Sequence, residues 1–177
     1  MSKTMLVAIA SASLLALSST VPVAHAKGTK VQDILSFETM YGVDGPFVGD
    51  AHPLRGVVGD EAPWEVKSVH GLLRTNGKLR IRVHGLVFKD DPRAPEGFVG
   101  KNDEPTFRAL VSCLTEDGDD TPTQNVTTGE FPATVEGDSD IDTTVALPNP
   151  CVAPVVFILA GSEDKWFSVT GFEAEAE

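Results

Sequence analysis

After residue 27, apolar side chains recur at every second position or bunch into short blocks, and helical spacing is hard to find. The strand pattern falls on Ser36–Val43, Leu54–Val58, Glu65–Arg74, Lys78–Phe88, Thr106–Leu114, Asn125–Thr128, Ile141–Leu147, Val152–Leu159 and Trp166–Phe172. Turn-formers punctuate these runs: Asp44-Gly45-Pro46, Asn76-Gly77, Asp117-Gly118, Gly137-Asp138, Pro148-Asn149-Pro150 and Ala160-Gly161-Ser162. Short strands broken this often predict an all-β domain, an antiparallel β-sandwich of immunoglobulin-like or jelly-roll-like type. Segment 90–104, rich in Pro, Gly and charge, reads as a long surface loop.

One hairpin can be read to its register. Two runs flank Thr75-Asn76-Gly77, and the second alternates Lys78, Leu79, Arg80, Ile81, Arg82, Val83, His84. A two-residue loop at Asn76-Gly77 would set Leu73 against Arg80 and mix apolar with charged residues on both faces. A three-residue loop, with Gly77 as the left-handed residue of a bulge, pairs Leu73 with Leu79, Gly71 with Ile81 and Val69 with Val83. The other face then carries Leu72 opposite Arg80, His70 opposite Arg82 and Ser68 opposite His84. Because a slip of one residue exchanges the two faces, the three-residue loop is the predicted one.

The N-terminus changes the picture of where this domain lives. Lys3, an apolar stretch from Met5 to Leu17 and an Ala24-His25-Ala26 site read as a signal peptide over residues 1–26. The apolar stretch is shorter than the ~20 residues of a spanning helix, and no later run is long enough either. The expected plan is a signal peptide (1–26), a lead-in (27–35), the sandwich (36–173) and an acidic tail (174–177), exported to the medium or periplasm. Export makes Cys113 and Cys151 a predicted structural disulfide, since oxidising compartments favour pairing and no CxxC redox motif is present.

Setting Lys3 aside from the chain's 14 Lys/Arg and 26 Asp/Glu leaves a net charge of −13. A chain this acidic repels nucleic acid and anionic lipid. The charge is uneven: eight Lys/Arg against five Asp/Glu lie between Arg55 and Arg93, and three against 17 lie from Ala94 onward. The basic island contains the wet face of the hairpin.

That face gathers Ser68, His70, Arg80, Arg82 and His84, and several chemistries are open to it. His70, Arg80, Arg82 and His84 form the candidate binding set, for an anionic or carbohydrate ligand or for one of the protein's own acidic loops. Two histidines would add positive charge to it in mildly acid solution. His70 and His84, joined by His52, could instead hold zinc or copper, although the arginines place positive charge beside the cation. Ser68 as nucleophile with His84 or His70 as base would make a small hydrolase, although no G-x-S-x-G elbow is present. A solvated sheet face is the fourth reading.

Two acidic segments, Thr115–Asp120 and Glu136–Asp142, are dense enough in carboxylates to suggest calcium. Neither fits the EF-hand pattern. Asp138, Asp140 and Asp142 alternate and so project to one side of an extended chain. A sugar platform would need exposed aromatics, and the candidates are Trp64, Trp166 and Tyr41. Trp64, after Pro63, stands at a loop-to-strand junction where a half-exposed ring fits, alternation puts either Trp166 or Phe167 inward, and core packing is the commoner use of both tryptophans.

The pieces GLLRTNGKLRIRVHGLVF, PTFRALVSCL, FPATVEGDSDIDTTVALP, PCVAPVVFIL and KWFSVTGF resemble a group of small exported bacterial proteins of unassigned function. The resemblance spans much of residues 27–177, implies export and an all-β fold, and transfers no activity or site residue. The reading reached from the sequence is an exported, non-enzymatic binding or envelope-associated module with no cofactor. The alternative is a small metal-dependent or hydrolytic enzyme using His70, His84 and Ser68.

Overall fold

The structure, a computed structural model, describes residues 30–172. The signal peptide and the acidic tail expected from the sequence lie outside the described residues. Two antiparallel sheets face each other. The first has the order β1 (Asp33–Phe37), β4 (Trp64–Arg74), β5 (Lys78–Phe88), β9 (Ser139–Thr144). The second has the order β2 (Met40–Gly42), β11 (Lys165–Thr170), β10 (Val152–Ala160), β6 (Thr106–Leu114), β7 (Thr123–Thr127). Two short strands join its flanks: β3 (Val58–Gly59) lies parallel to β11, and β8 (Phe131–Pro132) pairs with β6. Among the described residues the one helical element is a 3-10 turn at Gly45–Phe47, and no helix is long and apolar enough to cross a membrane.

The β4–β5 hairpin forms in the three-residue-loop register, with Leu73 opposite Leu79, His70 opposite Arg82 and Ser68 opposite His84. Gly77 is left-handed at φ 79°, and its N–H donates to the Arg74 carbonyl at 2.9 Å. A Cβ at Gly77 would sit 2.0 Å from the Val145 carbonyl oxygen, so the loop requires glycine for space as well as for φ. Leu73, Leu79, Ile81 and Val83 are buried, while Arg80, Arg82 and His84 are exposed. Each aliphatic side chain buried this way stabilises the fold by about 1.5–3 kcal/mol. The facing sheet supplies Phe107, Val111, Val156 and Ile158 to the same core.

The disulfide between Cys113 and Cys151 forms, with Cα atoms 4.9 Å apart. It ties the end of β6 to the start of β10, where Leu114 pairs with Val152. Oxidising compartments form bonds of this kind, which is compatible with export.

Several sequence expectations need correction. Ser36–Val43 is two strands in different sheets, because Phe37 packs over Gly71 of β4 while Tyr41 pairs with Val169 of β11. Leu54–Val58 is mostly a reverse turn: Leu54 bridges Val57 around Arg55 and Gly56, both left-handed at φ 49° and 78°. The expected lead-in already enters the sheet at Asp33, whose carboxylate accepts from Arg74 Nε at 2.9 Å.

Both tryptophans are core residues, and the alternation expected across Trp166 and Phe167 is absent. Trp64 is buried in the core, stacked on Phe167 at 3.8 Å between centroids and tilted against Phe88 at 4.2 Å. Trp166 and Phe167 are both buried. Phe167 meets Trp64 and Phe107, whereas Trp166 meets Phe157 and Phe47. The segment bearing Phe47 supplies β3 and the Arg55 turn, and Arg55 Nη2 donates to Ala153 O of β10 at 3.0 Å. That extra layer buries both faces of β11, so its sequence shows no alternation to read.

Candidate functional site

Side-chain alternation along β5 sends Lys78, Arg80, Arg82 and His84 to the outer face of the first sheet. β9 lies antiparallel beside it, with Arg80 opposite Asp142 and Arg82 opposite Asp140. The segment Glu136–Asp142 is therefore in large part a strand, and its alternate aspartates meet the alternate cations of β5. Lys78 Nζ bonds Asp142, Arg80 Nε donates to Asp142 Oδ2 at 3.0 Å, and Arg82 Nε donates to Asp140 Oδ1 at 3.0 Å. His84 Nδ1 lies 3.5 Å from Asp138 Oδ1, which also accepts from Gly85 N–H at 3.0 Å. Asp140 and Asp142, two of the carboxylates expected to suggest calcium, are thus engaged by cations, and Asp138 by the Gly85 amide. The Lys78 ammonium, with Arg80 beyond it, holds the Asp142 carboxyl below the ordinary range.

On the other flank of β5, β4 contributes Leu72, His70 and Ser68 opposite Arg80, Arg82 and His84. Along this stretch the outer face thus runs in three stripes: Leu72, His70 and Ser68 on β4, cations on β5 and aspartates on β9. An open depression of about 420 Å³ crosses the stripes. One wall is Leu72, Arg80 and Asp142; the other is His70, Arg82 and Asp140. Gly71, Ile81 and Ile141 lie between them, so the floor is strand backbone. The side chains of Arg80 and Arg82 remain 61% and 66% exposed, and each spends only Nε on its aspartate. Their Nη donors are left for solvent or a ligand.

The other candidates fare differently. His70 and His84 are diagonal neighbours as expected, but His52 is an exposed residue in the segment before β3. Among the described residues the three histidines form no cluster of three ligating groups. Ser68, His84 and Asp138 follow one another across the sheet, yet no hydrogen bond joins Ser68 to His84. The segment Thr115–Asp120 is a tight turn, with Asp117 and Asp120 exchanging backbone hydrogen bonds at 3.1 and 3.0 Å around a left-handed Gly118. Tyr41 is half-buried, its ring edge-on to Phe47 at 6.2 Å.

Sequence reasoning missed a second acidic group, Asp60, Glu61 and Glu163, whose carboxylates converge within 4.8 Å. Asp60 is buried and accepts from Trp64 Nε1 at 2.9 Å and from Ala62 N–H at 3.2 Å. Burial pushes its carboxyl up, against the pull of those two bonds. Lys165 closes the group, contacting Glu61 and lying 2.8 Å from Glu163. Desolvation works against the Lys165 ammonium, but the hydrogen bonds it donates to Glu163 and Glu61 outweigh it and raise its pKa above the lysine range. The cluster therefore supplies its own cation. The charge ladder did have a sequence signal: K-x-R-x-R-x-H and D-x-D-x-D share the period of two.

The molecule is a disulfide-linked antiparallel β-sandwich with a charge-laddered sheet face. No family model, curated protein or solved structure matches the chain.

Proposed function

We propose that the protein is an exported, non-enzymatic β-sandwich module that binds an anionic ligand on the outer face of β4, β5 and β9. One observation carries the reading: Arg80 and Arg82 are held in place by Nε bonds to Asp142 and Asp140, with their Nη donors free beside a groove. Guanidinium forks pre-set in this way lose less freedom on meeting a carboxylate or sulfate than mobile surface lysines do. Export draws support from the signal-like N-terminus and from the disulfide. The hydrolytic alternative has Ser68, His84 and Asp138 in a row on an open sheet, without the Ser–His hydrogen bond that activates a nucleophile.

The test is equilibrium titration of a sulfated oligosaccharide against wild type and Arg80→Ser/Arg82→Ser. Charge-assisted hydrogen bonds contribute about 1.5–3 kcal/mol each, so loss of even one of them in the double variant is expected to weaken binding at least about tenfold. Binding by wild type should also fall as salt rises. Equal affinity of the two proteins overturns the reading.

A further inference from the structure

Resting on that anion-binding reading, we infer that the groove takes an acidic carbohydrate. A carboxylate or sulfate sits between Arg80 and Arg82, and neighbouring hydroxyls donate to Asp140 and Asp142. The two walls stand two strand residues apart, roughly 7 Å. One small oxyanion in that gap reaches a guanidinium on each side at about 2.8 Å. A site built for charge alone, however, would not line the same groove with carboxylates. Asp140 and Asp142 belong to the same two walls as the arginines, and both are solvent-facing. A pure polyanion meets repulsion there. A ligand carrying O–H donors beside its anion finds acceptors instead.

The donors are better neutral than cationic. Asp142 already accepts from both Lys78 and Arg80, and Asp140 accepts from Arg82. Those bonds offset part of the charge, so an ammonium group gains less here than at a bare carboxylate, while the remaining lone pairs suit hydroxyls. At the β4 end, Leu72 is the apolar side chain of the outer walls, opposite Arg80. It offers a surface for the C–H face of a sugar ring. Acceptor, cation and apolar patch thus follow one another across three strands in the order of a hydroxyl, an acid group and a ring face.

The experiment compares three probes on wild type and on Asp140→Asn/Asp142→Asn: an oligogalacturonate, its methyl ester, and polyvinyl sulfonate, a polyanion without hydroxyls. Wild type is expected to bind oligogalacturonate and not the ester. The Asn variant is expected to lose about tenfold in affinity for oligogalacturonate while binding polyvinyl sulfonate severalfold more tightly, because two negative charges have left the face. The gain for polyvinyl sulfonate also reports that the variant is folded, and a thermal melt checks it independently. If oligogalacturonate tightens in parallel with polyvinyl sulfonate, the aspartates only repel, and this inference fails while anion binding stands. Equal binding of the methyl ester also overturns the inference, as does displacement of oligogalacturonate by a free amino acid at comparable concentration. If neither polyanion binds wild type, the proposed function and the inference fall together.

Discussion

Replacing Asp60 by alanine or by asparagine separates two consequences of burying one carboxylate. In wild type, Oδ2 accepts from the Trp64 indole at 2.9 Å and from Ala62 N–H at 3.2 Å. Alanine removes the acceptor and leaves the indole N–H of a buried tryptophan without a partner. An orphaned buried donor costs about 1–3 kcal/mol, and the Ala62 amide adds to it, giving roughly 2–4 kcal/mol in all. For a chain of this size the melting midpoint should fall by about 5–12 °C. Asparagine keeps an acceptor in the same place and removes the charge that burial penalises. Its stability at pH 7 should equal or exceed that of wild type.

The pH dependence carries the sharper test. Burial raises the Asp60 carboxyl above its ordinary value of 3.8, so the native state holds a proton that the unfolded chain has released. Between those two values stability falls as pH rises. Glu61 works in the opposite direction, because the Lys165 ammonium lowers its pKa; it stands in both proteins, so subtraction removes its effect except for the part coupled to Asp60. Wild type should therefore gain on Asp60→Asn as pH is lowered from 7 towards 4. Urea unfolding at several pH values measures the difference. An asparagine variant more than about 1 kcal/mol less stable than wild type at pH 7, or a difference independent of pH, would refute the reasoning.

Other consequences can be checked directly. Joint Cys113→Ala/Cys151→Ala substitution opens a covalent loop of sequence separation 38, which in the chain-entropy model costs roughly 4 kcal/mol; a thermal-melt loss of under about 1 kcal/mol would contradict it. Gly77→Ala should destabilise by about 1–3 kcal/mol, since φ is 79° and the added Cβ meets Val145 O at 2.0 Å; an unchanged denaturation midpoint counts against the strained loop. Lys78→Gln should raise the Asp142 titration midpoint seen by carboxyl NMR, because the Lys78 hydrogen bond is the largest cause of its lowered value. By the same linkage, the contribution of Asp142 to stability is present above its ordinary value of 3.8 and is lost as pH falls through the lower native value.

How much of this was legible in the sequence depends on the range of the interaction. The β4–β5 hairpin could be read to the residue, because period-two alternation and one glycine fix both faces within 25 residues of chain, from Trp64 to Phe88. The cysteine pair could be read because only two cysteines exist and the signal-like N-terminus pointed to an oxidising compartment. Alternation says which side chains share a face of a strand. It does not say which strand lies alongside or what covers the outside. That is why Ser36–Val43 gave no sign of dividing between sheets, and why Trp166 and Phe167 both proved buried. The candidate site divides in the same way. Its arginines and histidines stood in one run of the sequence, but the aspartates that anchor the guanidiniums lie some sixty residues away, at separations of 62 and 58. Local periodicity put charge on the outer face of β5, and only the docking of β9 turned it from a bare cationic row into a groove with acceptors on one side and free donors in the middle.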